Sequence, residues 1–152
     1  MVDSTVNRLR ELAASFPRPD CSWEEQPDFD PPSSGAQLAA YEAAAGFTLP
    51  ADLRAFLTQV GAIVALSVGV GCWIGGIEQL LRSIGRGDFP RTIEGARAIP
   101  IATDGAGNAF LMTADGQVWR WDHETDKTMK VATSFSEYLS QVVDEWAAYI
   151  AQ

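Results

Sequence analysis

Residues 60–77 run for 18 positions without a charged side chain. A stretch of that length approaches a membrane-crossing helix, so its reading divides the possible folds. Five glycines interrupt it (Gly61, Gly69, Gly71, Gly75 and Gly76), and neither immediate flank carries Lys or Arg. Glycine weakens a helix and marks turns and strand bends. The apolar pieces between the glycines, 63–68 and 71–74, are β-rich in character. The run therefore reads as buried strand plus turns in a soluble domain. The amino-terminal sequence MVDSTVNRLREL has no apolar stretch behind a basic start, so no secretory signal is expected. A chain of 152 residues suits one domain. At this size a core can bury roughly 68–70% of the unfolded surface without help from disulfides or metal.

Charge narrows the functions. Twenty Asp and Glu against eleven Lys and Arg give −9 at pH 7. Nucleic acids and anionic membranes call for a basic footprint, so neither is expected as a direct partner. A basic protein partner is favoured by the same field. Cys21 and Cys72 are the only cysteines, too few for a disulfide framework or a four-cysteine metal site. A reducing cytoplasm is the expected compartment.

Along the chain, Val6, Leu9 and Leu12 recur at helical spacing, predicting a helix over 5–15 that Pro17 and Pro19 end. Ser33 or Ser34 can cap a second helix, with Leu38, Tyr41 and Ala45 on one face and Gly46 as its stop. Pro50 suits the start of a third helix, which carries Leu53, Phe56, Leu57 and Val60 inward and stops at Gly61. A short helix is predicted over 76–84. Hairpin signals then place strands at 98–102, 109–113, 117–122 and 129–132, with turns at 104–108 and 114–116. Ser134 followed by Glu137 fits a capping box for a last helix through Phe135, Leu139, Val142 and Trp146. The expected fold class is α+β: a single domain over 1–152, in which an antiparallel β-meander packs with N-terminal helices and a closing C-terminal helix. Residues 1–33 are read as a helix plus an acidic, Pro-rich segment and 34–152 as the core.

The acidic segment has its own texture. Asp20, Glu24, Glu25, Asp28 and Asp30 surround the aromatics Trp23 and Phe29, with Arg18 the lone base. The prolines forbid a long helix, so an irregular surface loop is expected. An aromatic anchor inside a charged rim is a pattern interfaces favour, which makes Trp23, Glu24, Glu25, Asp28 and Asp30 the candidate partner-binding residues. The alternative is a solvated loop whose aromatics cover an edge.

Three stretches in order resemble the SUKH superfamily. The first is LAAYEAAAGFTLPADLRAFLTQVGA, with Glu42, Gly46, Leu49, Pro50, Asp52, Phe56, Leu57 and Gly61 at the family's positions. The second is IPIATDGAGNAFLMTADGQVWRWDHET, with Asp104, Gly107, Asn108, Trp121 and Asp122. The third begins the last helix at Ser134 and Phe135. The acidic segment and the glycine-rich 69–76 stretch match no family feature. The resemblance implies a cytoplasmic α+β domain without catalysis. Many bacterial relatives are immunity proteins that neutralise a secreted toxin, often a nuclease; a fungal branch serves as regulatory interaction domains. The matched residues are expected to be scaffold: turn formers at 104–108, core-sealing rings at Trp121 and Phe135, and backbone-binding side chains at Asp122 and Ser134.

Signals for chemistry are weak. Residues 122–126 alternate acids like a calcium loop, but Lys127 and Thr133 stand where Gly and Glu are required. His123 is the only histidine, which excludes a multi-histidine zinc site. A nucleophilic pair of Cys72 or Cys21 with His123 has no local support. The Gly69-Val70-Gly71 start of a dinucleotide fingerprint has its third glycine misplaced at 75, outside a βαβ context. The expected function is therefore an immunity protein that binds a toxin with a basic surface, without cofactor or metal; the alternative is an intracellular scaffold or regulatory module.

Overall fold

The uncharged run folds as a hairpin. In the computed structural model, which describes residues 2–152, its strands are β2 (Ala62–Ala65) and β3 (Cys72–Gly75), paired antiparallel from Ala62↔Gly75 to Ala65↔Cys72. Before them come α1 (Val2–Ala13), β1 (Asp28–Phe29), α2 (Gly35–Ala45) and α3 (Ala51–Gln59). After them come α4 (Ile77–Arg86), β4 (Thr92–Ile93), β5 (Ala96–Asp104), β6 (Ala109–Thr113), β7 (Val118–Asp122), β8 (Lys127–Ala132) and α5 (Phe135–Ile150). The sheet order is β1-β2-β3-β5-β6-β7-β8, antiparallel throughout, with β4 paired to the start of β5. This is the α+β architecture expected from the sequence. No helix among the described residues is long and apolar enough to cross a membrane.

Local chemistry explains the helix ends. Ser34 opens α2 with a reciprocal box: its hydroxyl accepts from Gln37 N–H at 3.1 Å, and the Gln37 side chain accepts from Ser34 N–H at 2.8 Å. Gly46 closes α2 in the left-handed region, φ 78°, where a side chain would be strained. Arginines cover that helix end, Arg97 donating to the Ala45 carbonyl at 2.8 Å and Arg91 to Ala44 at 2.9 Å. At α5, Ser134 accepts from Glu137 N–H at 3.1 Å, but the expected box is only half made. The Glu137 carboxylate instead takes the backbone N–H and hydroxyl of Thr133.

The main core gathers Leu9, Tyr41, Phe56, Ile63, Ile74, Ile99, Met112, Phe135 and Trp146. Phe56 and Phe135 meet edge to face at 5.0 Å. Burying side chains of this kind contributes about 1.5–3 kcal/mol each. A smaller cluster of Ile93, Ala98, Ala109 and Leu111 forms around β4–β6, with Phe89, Trp119 and Trp121 packed against it. Trp121 is thus half-buried in this satellite and donates Nε1–H to Asp126 at 2.8 Å, rather than sealing the main core. Alternation along β7 sends Trp119 and Trp121 to one face and Val118 to the other.

Two short strands escaped the sequence reading. β4 and β1 are two residues each, too short for alternation to show. β1 lies inside the segment read as irregular loop, and its pairing with β2 makes that segment the sheet's edge.

Candidate protein-interaction surface

The acidic segment is fastened at several points. Asp30 N–H donates to the Ala62 carbonyl and Ser33 N–H to Leu57, both at 2.9 Å. The chain passes so close over Gly61 that a side chain there would run into the Pro31 carbonyl. That close approach is the reason glycine suits position 61. Further back, Arg10 lies over the Phe29 ring, 4.6 Å from its centroid.

The strongest fastening corrects the sequence reading of Glu24. This residue is buried, 4% exposed, and its carboxylate is not offered to a partner. The Arg18 backbone N–H donates to it at 3.0 Å, and the Arg18 guanidinium donates through Nε at 3.1 Å and a terminal nitrogen at 2.8 Å. The Tyr149 hydroxyl donates to the same carboxylate at 2.8 Å. Arg18 also lies over the Tyr149 ring at 4.1 Å and donates to the Tyr149 carbonyl at 2.9 Å. The Arg18 side chain, with the Arg18 and Tyr149 backbone and hydroxyl donors, holds the Glu24 carboxyl down at about 2. Glu24 therefore belongs to the frame, joining the segment to the end of α5. The sequence held one clue, since Arg18 is the only base nearby. It could not say which of five acids takes it, because Tyr149 lies 125 residues further on.

The remaining candidates stay at the surface. Trp23 is 66% exposed, and Glu25, Asp28 and Asp30 are exposed. Glu25 N–H donates to the Ser67 hydroxyl at 3.1 Å, which lays this edge beside the tip of the β2–β3 hairpin. At that tip Leu66 and Val70 are 62% and 68% exposed. The run read from the sequence as buried strand plus turns thus exposes Leu66 and Val70 at its turn, while Val68 stays buried.

The other motif residues hold backbone. Glu42 accepts from Leu49 N–H at 2.8 Å and pairs with Arg54, closing the link before α3; these contacts, the Leu49 N–H first, lower its pKa. Leu49 is buried and Pro50 stands at the start of α3. Asp52 accepts from the Ser136 N–H at 2.9 Å and so ties α3 to the start of α5. Asp104 accepts from Ala106 N–H, Asn108 N–H and the Asn108 side chain at 2.9, 3.0 and 3.2 Å, and the His123 ring lies against Gly107. Asp122 accepts from Glu124 N–H at 2.8 Å. Sequence reasoning missed the partners Arg18, Tyr149, Ser67 and Ser136. No spacing rule links them to the residues they serve.

Chemistry finds little purchase here. The Cys72 thiol is pushed up to about 12, chiefly by burial, which keeps it protonated and a poor nucleophile. Among the described residues, no group of three or more His, Cys, Asp and Glu is placed to hold a metal ion. The Gly69-Val70-Gly71 segment is a hairpin turn, not a strand-to-helix phosphate loop. What the geometry offers is a fixed, acidic, aromatic edge beside an apolar hairpin tip.

No curated protein matches the chain. A family model does, over residues 32–141, that of the SMI1/KNR4 family (SUKH-1). That span runs from the entry of α2 to the middle of α5, and leaves Trp23, Glu24, Glu25 and Tyr149 outside it. Covering well over half the chain, with the α2–α3 link and the 104–108 turn inside it, the match establishes that this protein belongs to the SMI1/KNR4 family (SUKH-1).

Proposed function

We propose that this protein is an immunity protein that neutralises a cognate bacterial toxin in the cytoplasm by one-to-one binding, without turnover. The family includes toxin-immunity proteins, and its members bind partner proteins. The observation that carries the reading is the fastened acidic edge: exposed Trp23, Glu25, Asp28 and Asp30, held in place by Arg18, Glu24 and Tyr149. Such pre-ordering lowers the entropy lost on binding. A nuclease presents Lys and Arg to phosphate, and carboxylates spaced along a rigid edge on a chain of net charge −9 would attract that surface.

The test is co-expression with the product of the adjacent upstream gene. The expected result is a neighbour that is toxic alone, tolerated with this protein, and recovered with it as a one-to-one complex. A neighbour that is harmless alone and never binds would remove the reading. Several weak partners in its place would favour a regulatory scaffold.

A further inference from the structure

Beside the hairpin tip a cavity of about 390 Å³ opens between the sheet and the last turns of α5. Its walls are apolar, drawn from Val68, Phe110, Val142 and Trp146, with Val70 at its edge. Three charged side chains line it: Asp104, Arg120 and Glu145. Asp104 is occupied in holding its turn. Glu145 is exposed at the mouth, and among the described residues no hydrogen bond or ion pair satisfies its carboxylate. Burial and then the Asp104 charge raise its pKa. Arg120 stands on β7, directly across from Phe110, so two acids face one base in the lining.

We propose that this mouth, with Val70 as its lip and exposed Leu66 next to it on the hairpin tip, receives a lysine or arginine side chain that a protein partner presents beside an apolar residue. A long cationic side chain lays an apolar stem along such walls and keeps its charged head at the rim. Glu145 supplies the acceptor that the free protein leaves unmatched, and the exposed lip supplies apolar area for the neighbouring residue. Glu145, Trp146 and Tyr149 lie beyond residue 141, where the family match ends. The site therefore extends past the residues that the family model matches. The partner's identity rests on the immunity reading; the cation preference does not.

The preference is tested on the full chain with N-acetyl-lysinamide, followed by amide NMR shifts. Shifts at Val70, Cys72 and Asp104 are expected, with affinity weakened up to roughly fivefold by Glu145→Gln, the scale of an exposed ion pair. Glu145→Gln should not lower Tm, because the carboxylate has no partner to lose. Equal binding of uncharged N-acetyl-norleucinamide, preference for an anionic amide, or shifts confined elsewhere would overturn the proposal. So would concentration-dependent dimerisation abolished by Leu66→Ser, which would make the occupant a second copy. With a co-purified toxin, Leu66→Ser combined with Val70→Ser should raise the off-rate roughly tenfold or more. A toxin that binds but tolerates both changes removes this surface and leaves the immunity reading standing. Lysinamide binding without any toxin does the reverse.

Discussion

The turn at 104–108 and the acidic segment at 18–30 both rest on a carboxylate, yet they hold in different ways. Asp104 takes its donors from Ala106 and Asn108, within four residues. Glu24 takes its donors from Arg18 and from Tyr149, 125 positions away. The first arrangement is a local turn that any chain with those residues can form. The second is completed only once α5 has docked and brought the Tyr149 hydroxyl to the Arg18–Glu24 pair. An acid in a turn can thus be assigned from its neighbours, whereas an acid in an irregular segment cannot be sorted into frame or surface until the fold supplies its partners.

The core sets the scale against which both regions are measured. Phe135→Ala should cost about 3–5 kcal/mol, as for other fully buried rings, read as a fall in the urea midpoint. Trp121→Ala should cost clearly less, since its ring sits half-exposed in the satellite cluster. Equal losses would show the two clusters to be one.

Next in size is Glu24→Gln, which leaves Arg18 without its carboxylate and should lower Tm by several degrees. Its pH dependence has a defined sign. The folded-state pKa lies below the ordinary value of 4.5, at about 2. The stabilisation is therefore complete above the ordinary carboxylate range and lost as pH falls toward about 2. The Tm gap between wild type and Glu24→Gln should be full near about pH 6 and close in acid. A gap unchanged at low pH would mean that the Arg18–Glu24–Tyr149 clasp does not stabilise through charge.

Smaller still is Asp104→Ala, which removes partly exposed turn hydrogen bonds that water replaces, for a net loss of about 1 kcal/mol in all. Its effect should stay local, visible in amide exchange at 105–108 with β1 unperturbed. Spread of the change to residues 18–30 would erase the distinction between the two regions.

The smallest effect on stability, near zero, is expected from Glu25→Gln, Asp28→Asn and Asp30→Asn together. These side chains are exposed and are proposed to act on encounter. With a basic toxin the triple variant should associate more slowly and with a flatter salt dependence, its off-rate little changed. A wild-type on-rate at every salt concentration would reduce the edge to a solubilising loop.

Much of this was legible in the chain. Helical spacing gave α1 through α5 their inward faces, as at Val6, Leu9 and Leu12. Gly46, Ser34 and the 104–108 turn announced themselves because caps and turns are built from residues close in sequence. The proline- and acid-rich composition of the 18–30 segment marked it as irregular surface chain, without saying which of its acids stay exposed. Tertiary structure decided what composition could not. It turned Glu24 inward to Arg18 and Tyr149, made Asp28–Phe29 a sheet edge, and sent Trp121 to the satellite cluster. It also brought the hairpin tip and α5 together around one cavity, and laid the acidic edge beside that tip. The physical reason is range. Periodicity, caps and turns are set within a few residues, whereas the Glu24–Tyr149 bond, a strand edge or a cavity exists only between segments that docking brings together.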